Sequence, residues 1–565
     1  MPTVEVERGD LESLLGLKLP EHMEELNDML AYVKGEVKSI EGQELHIEMK
    51  DSNRADLWSA EGLARALRGF LNLEKGLKGY TIAGSSGVEV RVDVRLKTIR
   101  PYIACAAVKA VSLDDAAIRQ IMHLQDKMDQ TYGRHRRRTS IGLYDFDLIS
   151  PPLRYGVAEP EEVSFVPLGL EKKMTLREIL EKHPKGVEYG SIVSKNPVWP
   201  IFLDSEGKVL SFPPVINSAD LGQVTEATGN VFIEVTGTAY ETVLNALANV
   251  TLALADRGGT IYSVKIHYPY RELKDVVTPE LKTEALDVDV GYVQRVIGEK
   301  LSPSEIRGLL EKSRYGVAKV SESKITVEIP CYRVDIMHPI DIVEDVAIAY
   351  DYNKMRPKWP QLLTVGALSD ETKFRNLTRE IMVGSGFQEI LSFTLSNPEA
   401  LFTKMNLEPQ KVVEIANPKV TSLTCLRGWL LPSLMECLSR NVHVEYPQKI
   451  FEVGYCVVHD ADEGNKTRDL EKLACVTIHS NASFTEAKSV LEAFLANLGI
   501  RCELEETSHG SFIEGRAGKI LVGKRDIGFI GEVHPQVLQN WKLENPAAAF
   551  EITLDEMRKL LMAKQ

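Results

Sequence analysis

Apolar residues recur at helical spacing in Met23, Leu26, Leu30 and Val33, predicting a short amphipathic helix near the start of the chain. A strand-like HIEMK follows, and then DSNRADLWSAEGLARALRGFL, where Leu57, Leu63, Ala64 and Leu67 suit a helix packed by one face. Farther on, the period shortens to two in VRVDVRL and VFIEV, with helices expected between such strands. One helix start is marked by Thr175 and, three residues on, Glu178, a capping box, and Pro184 stops the helix that begins there. The stretch TAYETVLNALANVTLALADRGG reads as a helix closed by Gly258 and Gly259, before a strand TIYSVKI.

Two short stripes come next: Val293, Val296 and Ile297, then Ile306, Leu309 and Leu310. Between them Ser302, Pro303 and Glu305 supply an N-cap, a first-turn proline and a capping-box acid. With strands GVAKV and KITVEIP behind them, the outline is winged-helix-like, a shape that often serves only as a packing module. After a linker, MRPKWPQLL, a helix marked by Phe374, Leu377, Ile381 and Met382 leads into the strand EILSFTLS. The helix from Thr485 to Leu498 precedes further alternating strands. The expected fold is multidomain α+β, with units at 1–95 (α+β), 96–277 (mixed α/β), 278–353 (winged-helix-like) and 354–565 (helices on a mostly antiparallel sheet).

A chain of 565 residues is too long for one core, and its 44% apolar and 26% charged composition is that of an ordinary folded protein. No run approaches the roughly 20 apolar residues of a spanning helix, so no membrane partner and a cytoplasmic location are expected. The seven cysteines are scattered and never spaced Cys-x-x-Cys, which reads as small buried apolar residues. A net charge of -14 excludes a surface that coats nucleic acid throughout; any RNA contact must be a patch. The dense basic run is Arg134, His135, Arg136, Arg137 and Arg138, either a phosphate contact or a solvated helix end or acid-paired face.

The segment CYRVDIMHPIDIVEDVAIAYDY concentrates acids. If Pro339 starts a helix, Asp341, Glu344 and Asp345 fall at i, i+3 and i+4, and Asp335 arrives from the strand side. Oxygen ligands without nearby nitrogen or sulfur favour a hard cation such as Mg²⁺. Acids at a helix N-terminus also complement the macrodipole, which accounts for one or two of them. Mutual repulsion among the rest is relieved by a cation or by an arginine such as Arg333.

Four segments in their order give the sequence a family resemblance: DSNRADLWSAEGLAR (51–65), SFPPVINSADLGQVTEATGNVFIEVTG (211–237), YRVDIMHPIDIVEDVAIAYDY (332–352) and NPKVTSLTCLRGWLLPSLMECLSRN (417–441) with IFEVG after it. A fifth, HGSFIEGRAGKILVGKRDIGFIGEVHP (509–535), fits as well. Together they resemble the beta subunit of phenylalanyl-tRNA synthetase of the archaeal and eukaryotic kind, over essentially the whole chain. One departure is Ala55, where the family usually has proline.

The resemblance implies a tRNA-editing domain at 96–277, a B5 domain at 278–353 and a non-catalytic class II synthetase-like domain at 354–565. It implies an alpha subunit that binds ATP and phenylalanine, a heterotetramer of two alpha and two beta subunits, and tRNA(Phe) as partner. It also implies Mg²⁺ at Asp335, Asp341, Glu344 and Asp345. A class II site needs an arginine at a glycine-rich strand-helix junction. None occurs in 365–565, where Arg427 and Arg516 are the nearest candidates and read as interface or hydrogen-bonding residues.

In VFIEVTG the alternation sets Phe232, Glu234 and Thr236 on one face and Val231, Ile233 and Val235 on the other. By resemblance, Ser211, Asn217, Glu234 and Thr236 form an editing pocket for tyrosyl-tRNA(Phe), Glu234 accepting the tyrosine hydroxyl. Without the resemblance the strand reads as half-buried with a solvated polar face. The alternatives are a non-enzymatic RNA-binding scaffold with an inactive editing module, and a free-standing synthetase-like enzyme.

Overall fold

The computed structural model describes residues 2–360 and 362–562, so Gln361 of the expected linker lies outside it. The described residues form two compact units that divide at Trp359 and Pro360.

The first unit is organised by a ten-stranded sheet. Four of its strands build the candidate site: β1 (Tyr102–Lys109), β2 (Thr139–Asp145), β3 (Val209–Phe212) and β4 (Asn230–Gly237), with helices α1 (Asp115–Gln130) and α2 (Tyr240–Asp256) against one face. The order runs Ile216–Asn217, β3, Trp199–Leu203, Leu153–Ala158, Ile82–Val92, Thr260–His267, β1, β4, β2, and the tenth strand, Asp275–Thr278, branches from Thr260–His267. Its edge strands, far apart in that order, meet: Asn217 Nδ2 donates to Leu143 O at 3.3 Å, and Ser211 of β3 lies beside Glu234 of β4. The sheet therefore curls, leaving a seam without a strand ladder.

Both faces of β4 are covered, so the expected solvated face is absent. Val231, Ile233 and Val235 join the core of α1 and α2, while Phe232 packs with Tyr144 and Phe202 inside the curl. The domain outline also shifts. Ile82–Val92 is an interior strand of the large sheet, although it precedes residue 96. The helix Ala60–Phe70 and the small sheet of Thr3–Glu7, Glu44–Met49 and Gly35–Glu41 share one apolar core with β1, β4, α1 and α2. Ion pairs bind the same parts: Asp256 of α2 takes Arg65 at 2.8 Å and Lys78 at 2.7 Å, and Arg257 takes Asp10 at 2.7 Å.

Residues 284–350 form a three-stranded sheet with helices Val290–Ile297, Pro303–Lys312 and α3 (Pro339–Tyr350) around their own core. Both expected capping boxes are made, Thr175 with Glu178 and Ser302 with Glu305. Pro184 does more than stop a helix, since it opens the next one, Pro184–Tyr189.

The second unit is a seven-stranded sheet, antiparallel apart from the pairing of Gln388–Glu389 with Gln448–His459. Helix Leu431–Arg440 packs on one face; Asp370–Gly384 and Phe484–Asn497 pack on the other. Among the described residues no helix is long and apolar enough to cross a membrane. All seven cysteines are free; Cys105, Cys425, Cys456 and Cys475 are buried, but Cys331, Cys437 and Cys502 are only partly so.

Candidate functional site: a buried carboxylate at the seam

A cavity of about 190 Å³ opens at the seam, lined among others by Arg136, Ser140, Leu143, Ser211, Asn217 and Glu234. Three of the four sequence-predicted pocket residues thus meet here. Glycine makes the space: Gly142 stands opposite Glu234 in the ladder, and a Cβ there would come within 2.5 Å of the Tyr144 hydroxyl and 2.7 Å of the Glu234 carboxylate. A Cβ on Gly222 would similarly press to 2.5 Å from Asn217.

Glu234 is 2% exposed and has no cation in direct contact among the described residues. Its Oε2 accepts from the Tyr144 hydroxyl at 2.6 Å and from Ser211 Oγ at 3.4 Å. Burial pushes its carboxyl up to about 7, against the smaller downward pull of Tyr144 and of the Arg100 charge. The group is therefore poised between neutral and ionised near neutral pH, as acid-base and polar recognition sites require.

Thr236 is placed differently from the sequence expectation. It is fully buried behind the cavity wall, where its Oγ1 accepts from Arg100 Nε at 2.9 Å. Arg100 also donates to Ser140 Oγ at 3.0 Å, Thr236 O at 2.7 Å and Arg136 O at 3.0 Å, tying three segments together. Sequence reasoning missed Arg100, Ser140 and Tyr144. The alternation of TSIGLYD puts Ser140, Gly142 and Tyr144 on one face, but nothing local links that face to Glu234.

The basic run forms a turn, not a helix end. Arg134, His135 and Arg136 have φ of 51°, 53° and 61°, a left-handed turn that costs about 1–2 kcal/mol per residue for side chains of this kind. The surroundings hold it. Arg136 Nε pairs with buried Asp129 at 2.9 Å, its guanidinium lies 4.4 Å from the Tyr189 ring, and it donates to Val215 O at 2.9 Å. Burial pushes the Asp129 carboxyl up to about 7, against the opposing pull of Arg136.

The four acids near α3 do not converge. Arg333 takes Asp335 with two bonds, at 2.8 and 2.7 Å, and reaches Asp345 at 2.8 Å; Tyr315 donates to Asp345 at 2.5 Å. Burial works to raise Asp335, but the bonds and charge of Arg333, helped by Arg54, hold it below the usual carboxylate range. Asp341 turns back to accept from the backbone of Met337 and His338, each at 2.8 Å, and Glu344 is exposed and paired with Lys34 at 2.7 Å. Among the described residues no three His, Cys, Asp or Glu side chains are gathered as a metal site. Arg333 bridges two of the four acids, Asp335 and Asp345, while Asp341 and Glu344 are turned to other partners.

In the second unit Arg427 is buried and spent on its neighbours: Glu452 at 2.8 Å, Ser392 at 2.7 Å and Tyr455 O at 3.0 Å. Arg516 pairs with Glu532. Glu551 caps the backbone of Leu430 and Leu431 at 2.8 and 2.9 Å and binds Lys472 at 2.9 Å. These arginines serve internal hydrogen bonding, as the sequence reading has it.

Comparison with known proteins adds a family. The model of the phenylalanyl tRNA synthetase beta chain CLM domain matches residues 357–554, and that of the tRNA synthetase B5 domain matches residues 286–352. Over 98% of its length the chain is 46% identical to the phenylalanine–tRNA ligase beta subunit of Pyrococcus furiosus, 99% of which is covered. It is 41% identical, again over 98% of its length, to the same subunit of Methanocaldococcus jannaschii, covered in full at 100%. Among solved structures, an N-terminal fragment of the phenylalanyl-tRNA synthetase beta subunit from Pyrococcus horikoshii matches with TM-score 0.59 and 44% identity, over 62% of this chain and 100% of the fragment.

Proposed function

The chain belongs to the family of phenylalanine–tRNA ligase beta subunits, and from that premise we propose that it works with an alpha subunit in ATP-dependent charging of tRNA(Phe) and removes tyrosine mistakenly attached to that tRNA. The alpha subunit binds ATP and phenylalanine, and the assembly is a cytoplasmic heterotetramer of two alpha and two beta subunits. Support for this division of labour comes from the second unit, whose buried Arg427 is committed to internal partners. It also carries Leu391 and Phe393 largely exposed, apolar surface suited to a protein partner.

The observation that carries the hydrolytic part is the buried Glu234 carboxyl facing a cavity beside Ser211 and Asn217. A hydrophobic pocket made for phenylalanine rejects a molecule that merely adds a hydroxyl by only about 10², so a second sieve is needed. A buried acceptor that requires a phenolic partner discriminates the other way by roughly 10⁴ to 10⁵, because phenylalanine would leave it unpaired. Tyr144 already makes such a phenol-to-carboxyl bond with Glu234, at 2.6 Å.

Ser211 and Asn217 then hold the ester and its attacking water, while Thr236 and Arg100 keep β4 in place from behind. Among the described residues no histidine lines the cavity, and the base that Ser211 Oγ contacts is Glu234 at a long 3.4 Å, so water attack is favoured over a covalent intermediate. No step passes through Mg²⁺ at Asp335, Asp341, Glu344 or Asp345.

The test is tyrosyl-tRNA deacylation by the enzyme assembled with its alpha subunit. Glu234→Ala should lower the rate by about 10² or more while phenylalanylation persists. Unchanged deacylation removes Glu234 from this role, and absence of hydrolysis in the unmodified enzyme favours the scaffold reading.

A further inference from the structure

The basic run is not consumed by the fold. Arg136 turns inward and lines the cavity, and it alone of the run is in an ion pair among the described residues. Arg134, His135, Arg137 and Arg138 are exposed. The backbone around them is fixed from several sides: Arg136 N bonds to Asp129 O at 3.0 Å, Arg138 N to Gly133 O at 2.8 Å, and Thr238 N to Arg138 O at 2.9 Å. A conformation unfavourable to Arg134, His135 and Arg136 is thus maintained at the cavity wall, and the turn displays the guanidinium groups of Arg134, Arg137 and Arg138, without carboxylate partners among the described residues, in a chain of net charge -14.

Unpaired arginines held together repel one another, and a row of phosphates is the ligand that relieves them. Arg136 of the same turn lines the cavity, so the exposed arginines lie within two residues of a cavity-wall position. We propose that Arg134, Arg137 and Arg138 form the phosphate grip that guides the end of the tRNA into the Glu234 cavity, with Arg136 anchoring the turn to the wall. The inference rests on the hydrolytic reading for the identity of the ligand and adds which residues bind its backbone.

The experiment replaces Arg134, Arg137 and Arg138 together by Gln in the enzyme assembled with its alpha subunit. Tyrosyl-tRNA deacylation and direct binding of uncharged tRNA(Phe) are followed at several salt concentrations. The expected loss lies in KM, about tenfold or more, and the log–log salt dependence of tRNA binding flattens by about 2, since each phosphate contact contributes roughly 0.7 to 0.9. Replacement of the three by Lys should restore most of the salt dependence, which a merely structural role would not do. An unchanged KM and salt slope, with Glu234→Ala still abolishing hydrolysis, overturns the grip and leaves the hydrolytic reading standing. If hydrolysis does not depend on Glu234, the tRNA-binding slope still decides: an unchanged slope overturns the grip as well.

Discussion

Two buried acidic regions of the first unit have opposite settlements. At the head of α3, Asp335 and Asp345 lean on Arg333, and the charge is neutralised within the protein. At the seam, Glu234 has only neutral hydroxyl partners in contact and a cavity in front of it. The difference appears in their titration: Asp335 is held below its usual range, whereas Glu234 is pushed up to about 7. A buried acid that already owns a cation is spent on structure. One left with hydroxyls retains capacity for a ligand, at a cost to stability when it ionises.

The largest effect should come from taking the cation away. Arg333→Met leaves Asp335 and Asp345 enclosed without their partner, and loss of about 3–5 kcal/mol is expected from breaking such a pair, read as a lowered denaturation midpoint. A change below about 1 kcal/mol would mean that the two acids are solvated or otherwise paired, and the contrast with Glu234 would fail.

The pH dependence should have opposite signs in the two places. The raised Glu234 contributes stability that is complete below its unfolded value of 4.5 and is lost as pH rises through about 7. Asp335, being lowered, contributes stability present above 3.8 that is lost as pH falls below it. Glu234→Gln should therefore gain thermal stability relative to the unmodified chain between about pH 5 and pH 8, by a few kcal/mol, order of magnitude ~3, at the upper end. Equal midpoints across that range would show that Glu234 ionises without penalty. The smallest effect is expected of Tyr144→Phe, about 1 kcal/mol in stability. Because the Tyr144 bond lowers the Glu234 carboxyl, its removal should shift the Glu234 titration upward, followed by carbon NMR of the labelled side chain.

The second unit offers a like contrast, since Glu452 and Arg427 neutralise each other inside it. There too, polar residues that look catalytic by type are structural by partnership. The identity of a side chain tells what it could do, and its partner tells whether it is free to do it.

Much of the fold was legible along the chain because its causes are local. The boxes at Thr175 and Ser302, the buried pair Ile306 and Leu310 and the alternation of β4 each depend on residues within a few positions of one another. Ser211, Asn217 and Glu234 were likewise found, through the resemblance and through β4. Beyond that reach were the curl that joins opposite edges of the sheet and Tyr144's bond to Glu234, 90 residues away. So were the Arg100 bracket on Thr236, 136 residues away, and the retreat of Thr236 behind the wall. Which segments are helix or strand, and which of their faces are apolar, is dictated by the order of residues alone, since backbone periodicity and capping act over one or two turns. Which carboxylates received a cation was settled by the closed fold, because it depends on which distant arginine the curled sheet and its packed helices bring within hydrogen-bonding reach.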